Sequence, residues 1–188
     1  MISRQKAGLF FALIIMISFS ISSCSVVPKS TSSENQQEQK SAVVFSGTDM
    51  SGSTIDAKSI FSENKVTMVN VWATYCQPCI QEMPELQQLS EEQTEDVAVI
   101  GILSDAVDSS GDVIQENVAL GKQILEEQSV SYQNVVCDIT QLQDQISIDA
   151  VPTTFFVDQQ GCLIGEVQVG SVSKEEYQKM INRVLEQM

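Results

Sequence analysis

The chain of 188 residues contains no histidine, and its 10 basic residues are outnumbered by 25 acidic ones. Without histidine, the protein cannot build histidine-ligated zinc, copper or haem sites, nor the Ser–His and Cys–His pairs of hydrolytic enzymes. The formal net charge of −15 argues against nucleic-acid binding, because phosphate groups are bound by clustered Lys and Arg. Hydrophobic residues make up 43% of the chain, which indicates a globular protein with room for one ordinary domain and an address segment.

The first 23 residues are typical of an export signal. Two basic residues precede an apolar run over residues 7–21, which is too short for a membrane-spanning helix. The sequence Ile21-Ser22-Ser23-Cys24 resembles the bacterial lipobox, in which the cysteine is lipidated and becomes the mature N-terminus. Ordinary cleavage near Ser23 and an uncleaved membrane anchor are the alternatives. All three interpretations place the protein outside the cytoplasm, where disulfides persist.

The remainder of the chain divides into a tether and one domain. After Cys24, the residues up to 42 are rich in Ser, Gln and Glu and are predicted to be a flexible tether. Residues 43–188 are predicted to form a single globular domain. Strands are predicted at 43–45, 66–72, 97–103, 134–137, 153–157 and 163–169, and helices at 57–61, 77–91, around 118–125, at 139–146 and from Ser173 onward. This order predicts an α/β fold with a mixed central sheet and helices on both faces.

A Cys-x-x-Cys pair has the clearest chemical meaning in the sequence. A predicted buried strand ends at Trp72, and Cys76 opens the helix that follows, where free N–H groups and the helix dipole favour a thiolate. Cys76 is therefore predicted to be the attacking nucleophile, and Cys79, one turn further on, to resolve the mixed disulfide. A structural zinc site would need a second ligand pair, which the sequence does not offer. A purely structural disulfide is the remaining alternative.

The residues from Trp72 to Cys79 resemble the active site of the thioredoxin fold, in a form similar to the TlpA/ResA type of membrane-anchored thiol–disulfide oxidoreductase. The resemblance covers residues 43–188, including an inserted helix–strand unit at about 112–137. It implies that Val151-Pro152-Thr153 is the cis-proline loop, which presents the Val151 backbone to the substrate. Trp72, Tyr75, Val151 and Pro152 are thus predicted to bind substrate, with Tyr75 shielding the dithiol.

The same resemblance predicts a catalytic carboxylate at Glu82. Thioredoxins have a buried acid at the position of Asn70, whereas the TlpA/ResA type has a glutamate three residues after the second cysteine. A carboxylate there can relay protons to Cys79, and its charge raises the thiol pKa. An exposed helix glutamate is the alternative. Asp105 is a further candidate for this cluster, and Pro84 is predicted to kink the helix or, alternatively, to end it.

Two further cysteines fall outside this pattern. Cys137 is expected at the active-site end of a strand, and Cys162 after the hairpin turn at the opposite end of the sheet. Pairing between them is therefore not expected, and both are interpreted as small buried hydrophobic residues.

The resulting hypothesis is a lipid-anchored, extracytoplasmic thiol–disulfide oxidoreductase that needs no cofactor or metal beyond the Cys76–Cys79 disulfide. Its expected partners are exported protein thiols or disulfides and a membrane electron donor or acceptor, with no nucleic acid. Reduction is favoured over oxidation, because the Gln77-Pro78 interior resembles the reducing members. A disulfide-forming oxidase is the alternative. A peroxiredoxin-like peroxidase or a binding lipoprotein is disfavoured, the former because Thr-x-x-Cys is absent.

Overall fold

The computed structural model describes residues 42–94 and 96–188, so the predicted signal segment, Cys24 and the tether up to residue 41 lie outside the described residues. The described part of the chain forms seven strands and five helices, in the order β1 (Ser46–Asp49), β2 (Thr54–Asp56), α1 (Ala57–Phe61), β3 (Val66–Trp72), α2 (Gln77–Glu92), β4 (Val97–Leu103), α3 (Gln115–Glu127), β5 (Asn134–Cys137), α4 (Thr140–Gln143), β6 (Thr153–Asp158), β7 (Leu163–Val169) and α5 (Lys174–Leu185).

The strands form one mixed sheet, as the sequence predicts, and their order in it is β2-β1-β5-β4-β3-β6-β7. At its centre, β3, β4 and β5 are parallel, with Trp72 opposite Leu103 and Leu103 opposite Val136. The outer pairs are antiparallel, including β6 against β3 and β7 against β6. Because parallel neighbours end at the same edge, the C-terminal ends of the three central strands meet there.

Helices cover both faces of the sheet, which confirms the predicted layering. On one face, side chains of α1 and α4 pack against β3, β4, β5 and β6 in a single apolar cluster. On the other face, α2 and α5 cover the N-terminal half of β3 and β4, and α2 and α3 cover their C-terminal half. Every residue of β3 is therefore buried, because side chains alternate between two covered faces.

The sequence analysis is wrong at the start of the domain. The predicted strand over residues 43–45 does not form, since the sheet pairing begins later, in β1. Val44 instead pairs with the side chain of Gln145, whose amide oxygen accepts the Val44 N–H and whose NH₂ donates to the Val44 carbonyl, both at 2.8 Å. The Val43 N–H donates to the Gly161 carbonyl. A side-chain amide thus takes the place of a neighbouring strand.

The helices lie close to their predicted positions, and only the fourth differs clearly in length. Pro84 lies inside α2, which continues to Glu92, so the alternative that proline ends this helix is wrong. The fourth helix is shorter than predicted and spans only Thr140–Gln143. In α3, Leu120 is exposed, whereas Gly121 lies on the side that faces the sheet. The predicted start of α5 at Ser173 is confirmed, since Ser173 is the N-cap and its side chain accepts the N–H of Glu176.

Candidate active site

The two cysteines of the Cys-x-x-Cys motif lie where β3 gives way to α2. Cys76 is the N-cap of α2, and its Sγ atom accepts the Cys79 N–H at 3.2 Å. Pro78 lies in the first turn, where its missing N–H costs no helix hydrogen bond. The cysteines form a disulfide with their Cα atoms 5.3 Å apart, and they are 5% and 1% exposed, respectively. The expected positions are confirmed, while the roles of attacking and resolving residue stay predictions.

The turn that carries Cys76 is held by the end of β4. The Trp72 carbonyl accepts both the N–H and the hydroxyl of Ser104, each at 2.9 Å. The Cys76 N–H donates to the Ala73 carbonyl at 3.0 Å, which closes the turn. The position of Cys76 is thus tied to two central strands of the sheet.

Asp105 binds this turn and not the Glu82 cluster. Its carboxylate accepts the Thr74 N–H at 3.1 and 3.2 Å and the Thr74 hydroxyl at 2.5 Å. Its carbonyl accepts the Asn117 side-chain N–H at 2.6 Å. Asp105, which the sequence offers only as a candidate for that cluster, therefore lies outside it, because the end of β4 brings it to Thr74.

Glu82 lies on the buried side of α2, one turn beyond Cys79. Its side chain is only 3% exposed, so the alternative of an exposed helix glutamate is wrong. Asn70 Nδ2 donates to Glu82 Oε1 at 2.9 Å, and the Tyr177 hydroxyl donates to Oε2 at 3.0 Å. A carboxyl group in this position needs such donors, since an unpaired buried charge is strongly disfavoured.

Thr154 completes a closed ring of hydrogen bonds around the carboxyl group. Asn70 Nδ2 also donates to Thr154 Oγ1 at 3.1 Å, and Thr154 Oγ1 lies 3.4 Å from the Tyr177 hydroxyl oxygen. The four side chains come from β3, α2, β6 and α5, and all are buried. We call this ring, formed by Glu82, Asn70, Thr154 and Tyr177, the carboxyl ring.

The surroundings of Glu82 favour its neutral form. Burial raises the pKa of the Glu82 carboxyl above its usual value, while contacts with Ser171, Asn70 and Tyr177 partly oppose this effect. A cleft of about 300 Å³ borders the carboxyl group, and its other lining residues are Gln81, Glu85, Ser171, Val172 and Ser173. This cleft gives solvent a route to a group that is otherwise enclosed.

The loop before β6 contains a cis peptide bond between Val151 and Pro152, as predicted. The Pro152 carbonyl accepts the Gly170 N–H at 2.8 Å, so the loop is fixed to the end of β7. The Val151 side chain packs against the apolar cluster that contains Cys76 and Cys79. The cis-proline loop therefore lies beside the disulfide.

The two predicted aromatic substrate-binding residues lie in different environments. Tyr75 is 73% exposed next to Cys76, so it is open to a partner, and its shielding of the dithiol stays a prediction. Trp72 is fully buried, and its indole N–H donates to Asn134 Oδ1 at 2.9 Å. Trp72 therefore cannot contact a protein substrate in this conformation. It instead belongs to the apolar cluster that contains Cys76 and Cys79.

The remaining thiols lie away from the disulfide. Cys137 is buried at the end of β5, opposite Gly47 in β1, and burial raises its thiol pKa to about 12. Cys162 lies opposite Ala42 and is partly exposed, so the expectation that both are buried holds only for Cys137. Within residues 42–94 and 96–188, no cluster of three or more Cys, Asp or Glu side chains could hold a metal ion.

Sequence reasoning missed two members of the carboxyl ring. The spacing of Tyr177 predicts only a place on the buried face of the last helix, and Thr154 is predicted only as part of a strand. The tyrosine does carry a signal, because a buried tyrosine hydroxyl usually has a hydrogen-bond partner. The partner itself could not be read from the sequence, since 95 residues separate Tyr177 from Glu82.

Comparison with known proteins places the chain in a family. The profile of the AhpC/TSA family matches residues 39–165, which is more than half of the chain. The chain belongs to the AhpC/TSA family. This family member is 24% identical over 146 residues to the thioredoxin-like protein YneN of Bacillus subtilis, covering 78% of this chain and 79% of YneN.

Further similar proteins are named as thiol–disulfide oxidoreductases or interchange proteins. The thiol-disulfide oxidoreductase ResA of Bacillus cereus is 24% identical over 152 residues, covering 80% of each chain. A thioredoxin-family thiol:disulfide interchange protein from Chlorobium tepidum matches with a TM-score of 0.61 and 25% identity, covering 77% of this chain and 94% of that one. The fold is therefore thioredoxin-like. With its Cys76–Cys79 disulfide, this AhpC/TSA member is a thiol–disulfide oxidoreductase.

The raised pKa of Glu82 predicts how stability depends on pH. The folded protein binds the Glu82 proton more tightly than the unfolded chain does, so this group's contribution to stability is lost as the pH rises through the folded pKa. Replacement by the neutral Glu82→Gln should therefore increase the free energy of unfolding at pH 7. The advantage should disappear at pH 4, where the parent carboxyl group is also protonated in the folded state.

Urea unfolding of the oxidised protein at both pH values measures this difference. Glu126→Gln, at an exposed position of α3, is the control and should change the stability by less than about 0.5 kcal/mol at either pH. A Glu82→Gln protein that is less stable than the parent at both pH values would show that the ionised carboxylate is a net stabilising group, contrary to this expectation.

Proposed function

We propose that this protein reduces disulfide bonds of exported proteins outside the cytoplasm. The observation that carries the proposal is the buried Glu82 carboxyl group, one turn from Cys79 in a chain without histidine. A nearby carboxylate disfavours the thiolate form of the reduced dithiol. Thiol–disulfide oxidoreductases that are strong oxidants, in contrast, have a stabilised reduced form. A site that destabilises its reduced form releases electrons readily, which favours a reductase over an oxidase.

The reaction follows from the order of the two cysteines along α2. In the reduced enzyme, the Cys76 thiolate attacks one sulfur of a substrate disulfide, which forms a mixed disulfide and releases the first substrate thiolate. The Cys79 sulfur then attacks Cys76 Sγ and releases the second substrate thiolate. Two electrons pass to the substrate, and the enzyme is left with the Cys76–Cys79 disulfide that the structure contains.

Glu82 supplies the proton chemistry of the second step. Cys79 is 1% exposed, so its thiol needs an internal base before it can attack. Glu82 lies on the next turn of the same helix, and its ionised form takes that proton. The cleft beside Glu82 then allows exchange of the proton with solvent.

The cis-proline loop binds the backbone of the substrate. Through Val151 it packs against the apolar cluster that contains both cysteines, and the contact with substrate is a short β-type pairing with an extended peptide. The exposed Tyr75 ring lies directly before Cys76 and adds apolar contact area on the other side. Main-chain pairing of this kind admits substrates of different sequence.

The N-terminal sequence supports a location at the outer face of a bacterial membrane. Cys24 follows the small residues of a lipobox-like motif, and a lipid on Cys24 would hold the domain at the membrane through the predicted tether. Across the described residues, no helix is both long and apolar enough to cross a membrane. A membrane electron donor would supply two electrons and two protons to reduce the Cys76–Cys79 disulfide after each cycle.

Insulin reduction in the presence of dithiothreitol tests the roles of the cysteines. Cys76→Ser should lower the rate to that of dithiothreitol alone, because no thiolate remains to attack. Cys79→Ser should instead accumulate a mixed disulfide with the substrate, visible by mass spectrometry. Cys137→Ser, which changes a buried thiol on β5, is the control and should keep the parent activity. Catalysis by Cys76→Ser, or peroxide consumption that exceeds disulfide reduction, would contradict the mechanism.

The reduction potential of the Cys76–Cys79 pair decides the direction of electron flow. Equilibration with glutathione or dithiothreitol buffers should give a value below about −220 mV, in the range of reducing relatives. A value near about −120 mV would identify an oxidase instead. The Glu82→Gln protein should show a higher potential, because the reduced dithiol is then relieved of the neighbouring charge.

Fractionation of a bacterial host that produces the full chain tests the anchor. The parent protein should remain with the membrane and incorporate labelled fatty acid, whereas Cys24→Ser should lose the label. Membrane association of unlabelled parent protein would indicate an uncleaved anchor. Parent protein released in soluble form would indicate ordinary signal cleavage.

A further inference from the structure

The carboxyl ring has a property that a single buried acid lacks, because its hydrogen bonds form a closed path. Starting at Glu82 Oε2, the path runs through the Tyr177 hydroxyl and Thr154 Oγ1 to Asn70 Nδ2 and back to Glu82 Oε1, with distances of 3.0, 3.4, 3.1 and 2.9 Å. Asn70 contributes only donors to this path. The two hydroxyl groups can each donate or accept, so the bonds from Glu82 Oε2 through Tyr177 to Thr154 can reverse direction, while the two Asn70 bonds keep theirs.

The two directions correspond to the two charge states of Glu82. When the carboxyl group is ionised, both of its oxygens accept, so the Tyr177 hydroxyl donates to Oε2 and the Thr154 hydroxyl donates to Tyr177. When Oε2 carries a proton, that proton is donated to the Tyr177 oxygen. The Tyr177 hydroxyl then donates to Thr154 Oγ1, and the Thr154 proton turns out of the ring. Only two hydroxyl rotations separate the states.

We propose that Tyr177 is a positioning residue that allows Glu82 to gain and lose a proton while the four side chains stay in place. This inference rests on the proposed role of Glu82 in accepting the Cys79 proton. The proton that leaves Cys79 binds Oε2, and the reversed path satisfies the resulting acid. In a close-packed site, this arrangement avoids the cost of moving Glu82 between two environments.

The other groups around Glu82 lie outside the closed path. On α2 itself, Glu85 adds like charge, and its carboxylate is bound by the Lys174 backbone N–H at 2.8 Å. Tyr132, from the segment before β5, acts on Glu82 only through its charge state, and burial raises its pKa, so it stays neutral. Burial also raises the pKa of Tyr177, so its hydroxyl keeps the proton that the path requires. Ser171 hydrogen-bonds to Glu82 from the solvent cleft, and its hydroxyl can also donate or accept, but it is not a member of the closed path.

Two conservative substitutions in the carboxyl ring should move the Glu82 titration in opposite directions. Tyr177→Phe removes a donor to the ionised carboxylate, and a bond to a charged group is worth more than a neutral one, so the midpoint should shift to higher pH. In Thr154→Val, Tyr177 can still donate to the ionised Glu82 carboxylate. When Glu82 is protonated, however, the Tyr177 hydroxyl no longer has Thr154 Oγ1 as its acceptor. The midpoint in Thr154→Val should therefore shift to lower pH.

The titration is measured on the oxidised full-length protein labelled with ¹³C at the glutamate carboxyl carbon, with the Glu82 signal assigned by its loss in Glu82→Gln. The pH profile of insulin reduction by the same variants is a second readout, and in the Glu82→Gln background Tyr177→Phe should not move it. Thermal unfolding confirms that each variant is folded. Opposite shifts support the proposal; an unchanged midpoint in Tyr177→Phe, or shifts in the same direction, would overturn it.

The carbon titration is independent of the direction of electron flow. Opposite shifts in a protein that does not reduce insulin would therefore leave the positioning role of Tyr177 in place and reject the proposed function. An active reductase with an unchanged Glu82 midpoint in Tyr177→Phe would do the reverse.

Discussion

The constraint on which the site depends is the burial of one carboxyl group beside a redox-active dithiol. A carboxylate that is 3% exposed must be supplied with donors, because the free energy of leaving it unpaired exceeds what most single contacts contribute. The donors come from β3 and α5, and β6 joins them through Thr154. The burial of one acid on α2 thus requires β3, β6 and α5 to keep fixed positions relative to α2.

The same arrangement explains why the disulfide lies at one edge of the sheet. The parallel strands β3 and β4 end side by side, so the backbone of Ser104 can bind the Trp72 carbonyl and Asp105 can bind Thr74. These contacts fix the turn from which α2 starts, with Cys76 as its N-cap. The antiparallel strand β6 begins at the same edge, and the cis-proline loop therefore reaches the cysteines. Strand direction, more than any local sequence feature, brings the parts of the site together.

Much of this could be predicted from the sequence because the strongest signals are local. The buried runs of β3 and β4, the cysteine pair at the start of α2 and the start of α5 at Ser173 each depend on a few adjacent residues. The failures involve partners that are distant in sequence. The segment at residues 43–45 pairs with a glutamine side chain 101 residues away, and Asp105 binds Thr74 instead of Glu82. Spacing predicts which face a residue occupies, but it does not identify the atom that it meets.

Asn70 and Glu82 show how the position of the acid is chosen. The resemblance to thioredoxins places a buried acid at the position of Asn70, and here the Asn70 amide lies 2.9 Å from the Glu82 carboxylate. The side chains of position 70 on β3 and position 82 on α2 therefore reach the same buried location. Acids at both would place two carboxyl groups in contact, and one of them would have to stay protonated. An amide at position 70 suits an acid at position 82. The Asn70 side-chain NH₂ group donates one hydrogen bond to the Glu82 carboxylate and another to Thr154 on the neighbouring strand. The acid then lies on the helix of the cysteines themselves, one turn from Cys79, and its proton affinity becomes adjustable from α5 through Tyr177.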